Sequence, residues 1–452
     1  MTRGRAGTAG RAGKAGRAGA VSVLAFGALM LVPGPAGAAS PDGPDGMAPY
    51  ETSPDAEPVR GTPASTDGPR LRPGTYTDTI ARGEKKYYRV ALDAKSNAFV
   101  STVLAPPPGI EVGSTDGIRV LLESTDGVKC SNGNDVTFGG GSSRPIADYA
   151  TRRIEADRSC QSAGDYLYSV EWTGSGNGPG DGGWPVELTY MTEPGLRAGA
   201  VMPSEPATWN SQAPSPSAGR ANSVSGGSGF NDAPAVGGGA WKDKLSPGES
   251  RFYKVPVEWG QQLFLDAEFA NSTNDEPPLV FDGLRLGVFN TARGFVASAS
   301  ANYQGKPAAV SLGTAPAAFS NRSSPQDATA AMRFSGWYYV RVSLDRRVDS
   351  ALPVTLRVGL KGEPQPGPPY DGDATAAGFG ITDEDREAAA EGRIEDTDGQ
   401  SVPLKAIGFA GIGLGTALVL GLVLWTVLGR RGRGAEASRA SAPAPMPASR
   451  EH

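Results

Sequence analysis

Two stretches of the chain, 165 residues apart, repeat one another: residues 74–102 read GTYTDTIARGEKKYYRVALDAKSNAFVST and residues 239–267 read GAWKDKLSPGESRFYKVPVEWGQQLFLDA. At that fixed offset Gly74, Asp78, Gly83, Glu84, Tyr88, Val90 and Phe99 recur as Gly239, Asp243, Gly248, Glu249, Tyr253, Val255 and Phe264. A duplication of this size carries strand pattern and turn chemistry with it, so it means two copies of one fold. The chain therefore reads as two similar modules and whatever holds them.

The copies persist downstream with drifting offsets. Gly117-Ile118-Arg119-Val120 returns as Gly283-Leu284-Arg285-Leu286. Gly164-Asp165-Tyr166 returns as Gly336-Trp337-Tyr338, and Pro185-Val186-Glu187-Leu188 as Pro353-Val354-Thr355-Leu356. Drift places insertions between the blocks, where loops tolerate length change. The blocks alternate: Tyr88, Val90 and Leu92 share one face, and Tyr87, Arg89 and Ala91 the other. In the second copy Tyr253, Val255 and Val257 match the first set, and Lys254 stands where Arg89 stood. Period two between Gly, Pro, Asn and Asp clusters predicts half-buried antiparallel strands. Two all-β sandwiches are expected, over residues 73–193 and 238–362, each folding independently. The one helical surface turn expected within them lies at residues 147–157.

Outside the modules the chain changes character. Residues 1–38 carry Arg3, Arg5, Arg11, Lys14 and Arg17 without an acid, then a short apolar run and Ala36-Gly37-Ala38, the form of a secretory signal peptide. Residues 39–72 and 194–237 are rich in Pro, Gly, Ser and Ala, which predicts disordered linkers. Residues 363–404 open on Pro364, Pro366, Pro368 and Pro369 and turn acidic, an expected stalk. Within it Thr382-Asp383-Glu384-Asp385 has the form of a capping box before a short helix. Residues 406–428 lack charge, and as a helix they would reach about 34 Å, beyond the roughly 30 Å hydrocarbon core. Arg430, Arg431 and Arg433 follow. A transmembrane helix over 405–429, with a cytoplasmic tail over 430–452, is expected, making a single-pass type I cell-membrane protein with an extracellular ectodomain. Gly411 and Gly415 offer a helix–helix dimer face. The Ala/Gly/Arg bias is that of a high-GC genome of the actinobacterial type.

Little catalytic chemistry is available. His452, in the tail, is the one histidine of the chain, which leaves no imidazole in the modules for a Ser-His or Cys-His nucleophile or a zinc site. The formal net charge is −5; setting aside +5 in the signal, +3 in the tail and Lys405 leaves −14 for residues 39–404, which argues against nucleic acid. The recurring acids Asp78/Asp243 and Glu84/Glu249 flank a hairpin, where turn roles are ordinary. Cys130 and Cys160 are the only cysteines and are expected to pair after export, as a local staple for the Gly-rich 131–145 excursion. Asn132, Asn134 and Asp135, and Asn274, Asp275, Glu276 and Asp282, are oxygen-bearing loops without a defined ligand spacing. Neither a metal nor a cofactor is expected. Tyr76, Trp241, Trp259 and Trp337 read as core aromatics. Trp172 and Trp184, separated by a Gly-rich loop, are candidate ligand contacts through an exposed ring.

Both copies resemble the bacterial pre-peptidase C-terminal (PPC) domain. The first carries Tyr76-x-Asp78-x-Ile80-x-x-Gly83-Glu84-x-x-Tyr87-Tyr88-x-Val90 and Gly164-Asp165-Tyr166-x-x-x-Val170. The second carries Trp241-x-Asp243-x-Leu245-x-x-Gly248-Glu249-x-x-Phe252-Tyr253-x-Val255 and Gly336-Trp337-Tyr338-x-x-x-Val342. The resemblance implies jelly-roll-like β-sandwiches that accompany secreted hydrolases as accessory modules. Here the family's Asp-Leu-x-Leu strand reads Gly-Ile-Arg-Val and Gly-Leu-Arg-Leu, and no peptidase domain is expected within these residues. The expected function is a non-catalytic, surface-anchored interaction protein that engages an envelope or membrane protein or cell-wall glycan. The alternatives are a carbohydrate-binding surface receptor and a histidine-free carboxylate hydrolase.

Overall fold

The period-two segments form strands in both copies. The computed structural model describes residues 47–394 apart from 132–133, 156–157, 175–182, 200, 203–208, 210 and 215–218. The first copy supplies β1 (Glu57–Pro58), β2 (Arg70–Leu71), β3 (Gly74–Ile80), β4 (Lys85–Leu92), β5 (Asn97–Leu104), β6 (Gly117–Ser124), β7 (Asn134–Thr137), β8 (Ile146–Arg152), β9 (Gly164–Thr173) and β10 (Trp184–Glu193). The second supplies β11 (Asn222–Ser223), β12 (Gly239–Leu245), β13 (Ser250–Val257), β14 (Gln262–Phe269), β15 (Val280–Phe289), β16 (Phe295–Tyr303), β17 (Ala308–Pro316), β18 (Gly336–Leu344) and β19 (Leu352–Lys361).

The two topologies coincide. Sheets β1-β3-β10-β5-β8 and β2-β4-β9-β6-β7 of the first sandwich match β11-β12-β19-β14-β17 and β13-β18-β15-β16 of the second. Tyr88, Val90 and Leu92 point into the first core, as Tyr253, Val255 and Val257 point into the second, while Arg89 and Lys254 are half-buried on the opposite face. The 147–157 turn expected as helix is instead β8 over its first residues: Ala147, Tyr149 and Thr151 face one side and Ala150 the core, a period of two.

The repeat begins earlier than the sequence suggested. Glu57 pairs in parallel with Tyr76 and Asn222 with Trp241; Arg70 pairs with Arg89 and Ala235 with Lys254, all at the 165 offset. Residues 47–72 and 220–237, expected as disordered linker, are thus ordered arms of the sandwiches. Backbone pairing holds them, together with a few buried apolar side chains, Leu71 in the first core, Val236 in the second and Phe230 at the seam. The recurring aspartate is the anchor. Asp78 accepts from the Gly61 amide of the arm at 2.7 Å, the Tyr88 hydroxyl at 2.8 Å, Lys86 Nζ at 2.9 Å and the Thr79 amide at 2.7 Å. Asp243 repeats this with Gly226 at 2.8 Å, Tyr253 at 2.7 Å and Lys244 at 2.7 Å. Burial first, then the adjacent carboxylate, pushes both phenols well above their ordinary pKa, so each remains a donor. A Cβ on Gly61 or Gly226 would stand 2.6 or 2.8 Å from the tyrosine ring, so only glycine lets the arm reach the knot. Glu84 and Glu249 cap the β3–β4 and β12–β13 turns through the Ala81 and Ser246 amides, the turn role expected of them.

The sandwiches are stacked rather than tethered. The outer face of the β3-β10-β5-β8 sheet packs on the outer face of β13-β18-β15-β16, so every residue of β5 and β8 is buried. Phe99 meets Phe334 edge-on at 4.9 Å and Tyr149 at 5.7 Å; Phe230, Phe252, Phe289 and Tyr339 close on Val103 and Ala147. Two carboxylates of β10 are clasped across the seam. Glu187 accepts from Arg293, from Asn231 Nδ2 at 2.9 Å, from the Ser53 amide at 2.8 Å and from the Tyr50 hydroxyl at 3.2 Å. Glu193 accepts from Tyr370 at 2.6 Å, Asn97 Nδ2 at 2.6 Å and Arg322 at 3.3 Å. The expectation of independent modules is corrected accordingly.

The expected stalk is corrected as well, over its described part. Residues 363–394 strap the seam. Tyr370 bridges to Leu196, Phe379 packs at 5.7 Å from Phe99, and α2 (Asp383–Glu391), which follows the short α1 (Asp327–Ala331), lies over β13. The capping box is present: the Asp385 amide donates to Thr382 Oγ1 at 3.1 Å and the Thr382 amide to Asp385 at 2.7 Å. One part of the expected fold class is overturned. No helix among the described residues is long and apolar enough to cross a membrane, and residues 405–429, with Gly411 and Gly415, lie outside them. The described fold is all-β and sandwich-like, and no helix among the described residues supplies the span assigned to it.

Candidate functional site

The sheet face that seals the seam in the first sandwich has an equivalent in the second that, among the described residues, only the 211–214 segment flanks. Strand register aligns Val103 with Glu268, Tyr149 with Ser311, Glu187 with Thr355 and Thr189 with Arg357. Phe99 and Phe264 alone stay aromatic. Polar side chains replace the apolar floor, and the outer face of β12, β14, β17 and β19 forms a groove of about 510 Å³ lined by Phe264, Asp266, Ser311, Gly313, Arg357 and Leu360, with Pro214 at its rim.

Its charges are arranged in pairs. Arg357 grips Glu268 with two hydrogen bonds, of 2.7 and 3.0 Å, and these raise the guanidinium's pKa. Ser311 Oγ donates to Asp266 at 3.2 Å, yet burial, reinforced by Glu268, leaves Asp266 above the usual carboxylate range. A sheet floor with an aromatic edge, a fixed ion pair and open hydroxyls can hold a ligand through hydrogen bonds and apolar contact. None of these residues was singled out in the sequence except Phe264, by its recurrence. Asp266, Glu268 and Arg357 alternate along their strands as solvent-facing residues do.

The residues that were singled out lie elsewhere. Trp172 and Trp184 are buried, with ring centroids 4.3 Å apart, and Phe138 stands edge-on to Trp184 at 5.9 Å. They cap the first core, which corrects their assignment as ligand contacts through an exposed ring. Tyr76, Trp241 and Trp259 are buried, and Trp337 is half-buried beneath Lys254 at 4.6 Å. Cys130 and Cys160 form the disulfide, joining the loop after β6 to the β8–β9 connection. The Gly-rich part of the 131–145 segment lies at the seam, with Gly141 beside Asp345. Asp135 pairs with Arg119 at 2.6 Å, Asn274 with Asp349 at 2.5 Å and Asp282 with Arg285 at 3.3 Å; Asn132 lies outside the described residues. No group of three or more His, Cys, Asp or Glu side chains among the described residues is placed to hold a metal.

No family model matches the chain. No curated protein matches it. Solved structures with some likeness include the ANX1 ectodomain of Arabidopsis thaliana, at 9% identity and TM-score 0.17, covering 66% of this chain and 85% of that one. The tandem CBM22-1–CBM22-2 domain of Paenibacillus barcinonensis Xyn10C is 9% identical with TM-score 0.17, covering 67% of this chain and 95% of that one. A complex of the plant peptide RALF23 with FER and LLG2 gives 8% and 0.20, covering 68% and 96%. TM-scores of this size carry no inference about this chain.

Proposed function

We propose that the chain is an exported, non-catalytic binding protein with PPC-like sandwiches, and that an envelope protein docks on the open face of the second sandwich. One observation carries the reading. The same sheet face is already used for protein–protein contact in the first sandwich, where the second sandwich covers it, and in the second it lies open around the 510 Å³ groove. The disulfide fits an oxidising compartment outside the cytosol. A protein partner is favoured over cell-wall glycan because the sugar-stacking candidates Trp172 and Trp184 are buried.

A hydrolytic reading has one observation of its own. Asp266 and Glu268 project from the same face of β14, burial biases Asp266 towards its protonated form, and Arg357 pairs with Glu268, the divergence expected of an acid and a base. The two-bond grip of Arg357 ties up Glu268 and favours binding over catalysis. The test is site-specific photocrosslinking from Ser311, with Glu171 on the far sheet of the first sandwich as control. Capture of one envelope protein from Ser311 alone, abolished by Gly313→Trp, supports the proposal. Retention on purified sacculi would move the partner to glycan, and turnover of a glycoside abolished by Asp266→Asn would make the chain an enzyme. Capture that is equal at both positions overturns the docking face.

A further inference from the structure

The seam contains arginines of two kinds. Arg293 and Arg322 each meet a buried glutamate of β10. Arg144 and Arg341, 7% and 5% exposed, meet none. Arg144 hydrogen-bonds only to carbonyls, those of Phe138, Gly140 and Ser142, and Arg341 only to that of Pro145; they lie over the rings of Phe138 and Phe289, and the Nε of each is buried without a hydrogen-bond partner. Arg285 is the third guanidinium here, reaching the Gly140 carbonyl at 3.5 Å.

The carboxylates nearby are already engaged. Asp345 binds Arg347 at 2.8 Å and the Ser142 amide at 3.1 Å, Asp282 binds Arg285 at 3.3 Å, and Glu249 binds Arg251 at 2.7 Å. Burial lowers the pKa of Arg341, and its charged neighbours Arg144 and Arg285 lower it further. Uncompensated buried charge is costly enough that proteins pair it or neutralise it. Beside Arg144 lie two adjoining cavities of about 10 and 30 Å³, both lined by Ser143, Arg144, Glu249 and Ser250; Ser142, Arg285, Ser343 and the Asp345 carboxylate also line the smaller one. That is room for a water-sized species, and serine hydroxyls and a guanidinium can donate to it.

We propose that this seam cavity binds a small monatomic anion of the chloride class, held by Arg144 and Arg285 with Arg341 alongside, and that the anion locks the two sandwiches together. The site is remote from the groove of the second sandwich and does not depend on the docking proposal. Thermal unfolding of the full-length chain is measured in chloride, bromide and gluconate at matched ionic strength. The expected result is a saturable upward shift in Tm with chloride and bromide and none with gluconate, which is too large to enter. Arg144→Met should abolish the halide response while melting no lower than the wild type in gluconate, because it removes an unpaired buried charge. A variant that merely lost structural contacts would melt lower in every salt. Crystals of the wild type grown in bromide should show an anomalous peak beside Arg144. Equal melting in all three salts, or bromide found only at the exposed surface, overturns the proposal.

Discussion

Substituting Glu187 by alanine should unlock the seam. The carboxylate is fully buried and accepts from Arg293, Asn231, Tyr50 and the Ser53 amide, so its removal leaves the buried Arg293 guanidinium without a carboxylate, holding only Asn231 Oδ1 at 2.7 Å, and takes a partner from Tyr50 and from the Ser53 amide. Burial alone would lower the Arg293 pKa; the Glu187 carboxylate outweighs it and holds the guanidinium above its ordinary value, so without Glu187 the burial acts on an uncompensated charge. Breaking one half of a buried ion pair costs about 3–5 kcal/mol. At about 2 °C per kcal/mol for a large domain, Tm should fall by about 6–10 °C. Calorimetry should also resolve two transitions where the wild type shows one, because the two cores remain intact while their contact fails. The double variant Glu187→Leu with Arg293→Met should recover most of the loss, since apolar groups of similar volume often replace a buried pair without penalty. A Glu187→Ala variant that melts within about 1 kcal/mol of the wild type, as a single transition, would refute the stacked arrangement.

Gly294 leaves no room for a side chain, its Cβ falling 1.3 Å from the Tyr149 ring, so Gly294→Ala should separate the calorimetric transitions while leaving each sandwich folded. In the second core, Tyr253→Ala should cost about 3–5 kcal/mol as a buried aromatic, whereas Tyr253→Phe should cost about 1–3 kcal/mol by removing one of the three donors to Asp243; chemical denaturation measures both. Burial would raise the Asp345 pKa, but Arg347 and the backbone amides of Arg347 and Ser142 outweigh it and hold it low. Its stabilising contribution is therefore present above the ordinary carboxylate pKa and lost as pH falls through the depressed one, below about pH 4. Small-angle scattering on acidification should show the sandwiches parting there, and the Asp345→Asn variant should lack that step.

How far the sequence could be read follows from what each residue does locally. Alternation at Tyr88, Val90, Tyr253 and Val255 reports burial by period alone, and the Thr382 capping box is complete within four residues, so both were legible. Glu187 and Glu193 were not. Their spacing along β10 is that of a solvent-facing row, and only the arrival of Arg293, Arg322 and Tyr370 from distant positions buries them. The arms at residues 47–72 and 220–237 were missed because they pair through backbone groups and bury only a few scattered apolar side chains, such as Leu71, Phe230 and Val236, which composition does not register. A closer comparison at the 165 offset would have found Gly61 and Gly226, the glycines that meet Asp78 and Asp243. The open groove left the faintest signal, since it is defined by what its strands lack relative to the first copy.

A contact between unlike faces has a geometric hazard, for it can be repeated indefinitely and grow a fibre. Here both ends of the stack are blocked by charge. On the outward sheet of the first sandwich, Glu123 occupies the place that Phe289 takes at the seam, and Glu171 that of Ser343. On the outward sheet of the second, Glu268 occupies the place of Val103. A third copy therefore finds carboxylates where the internal joint has a phenyl ring and an isopropyl group. The duplicated fold ends in polar terminal units, as solenoid arrays do, and two copies make a closed set rather than the first two links of a polymer.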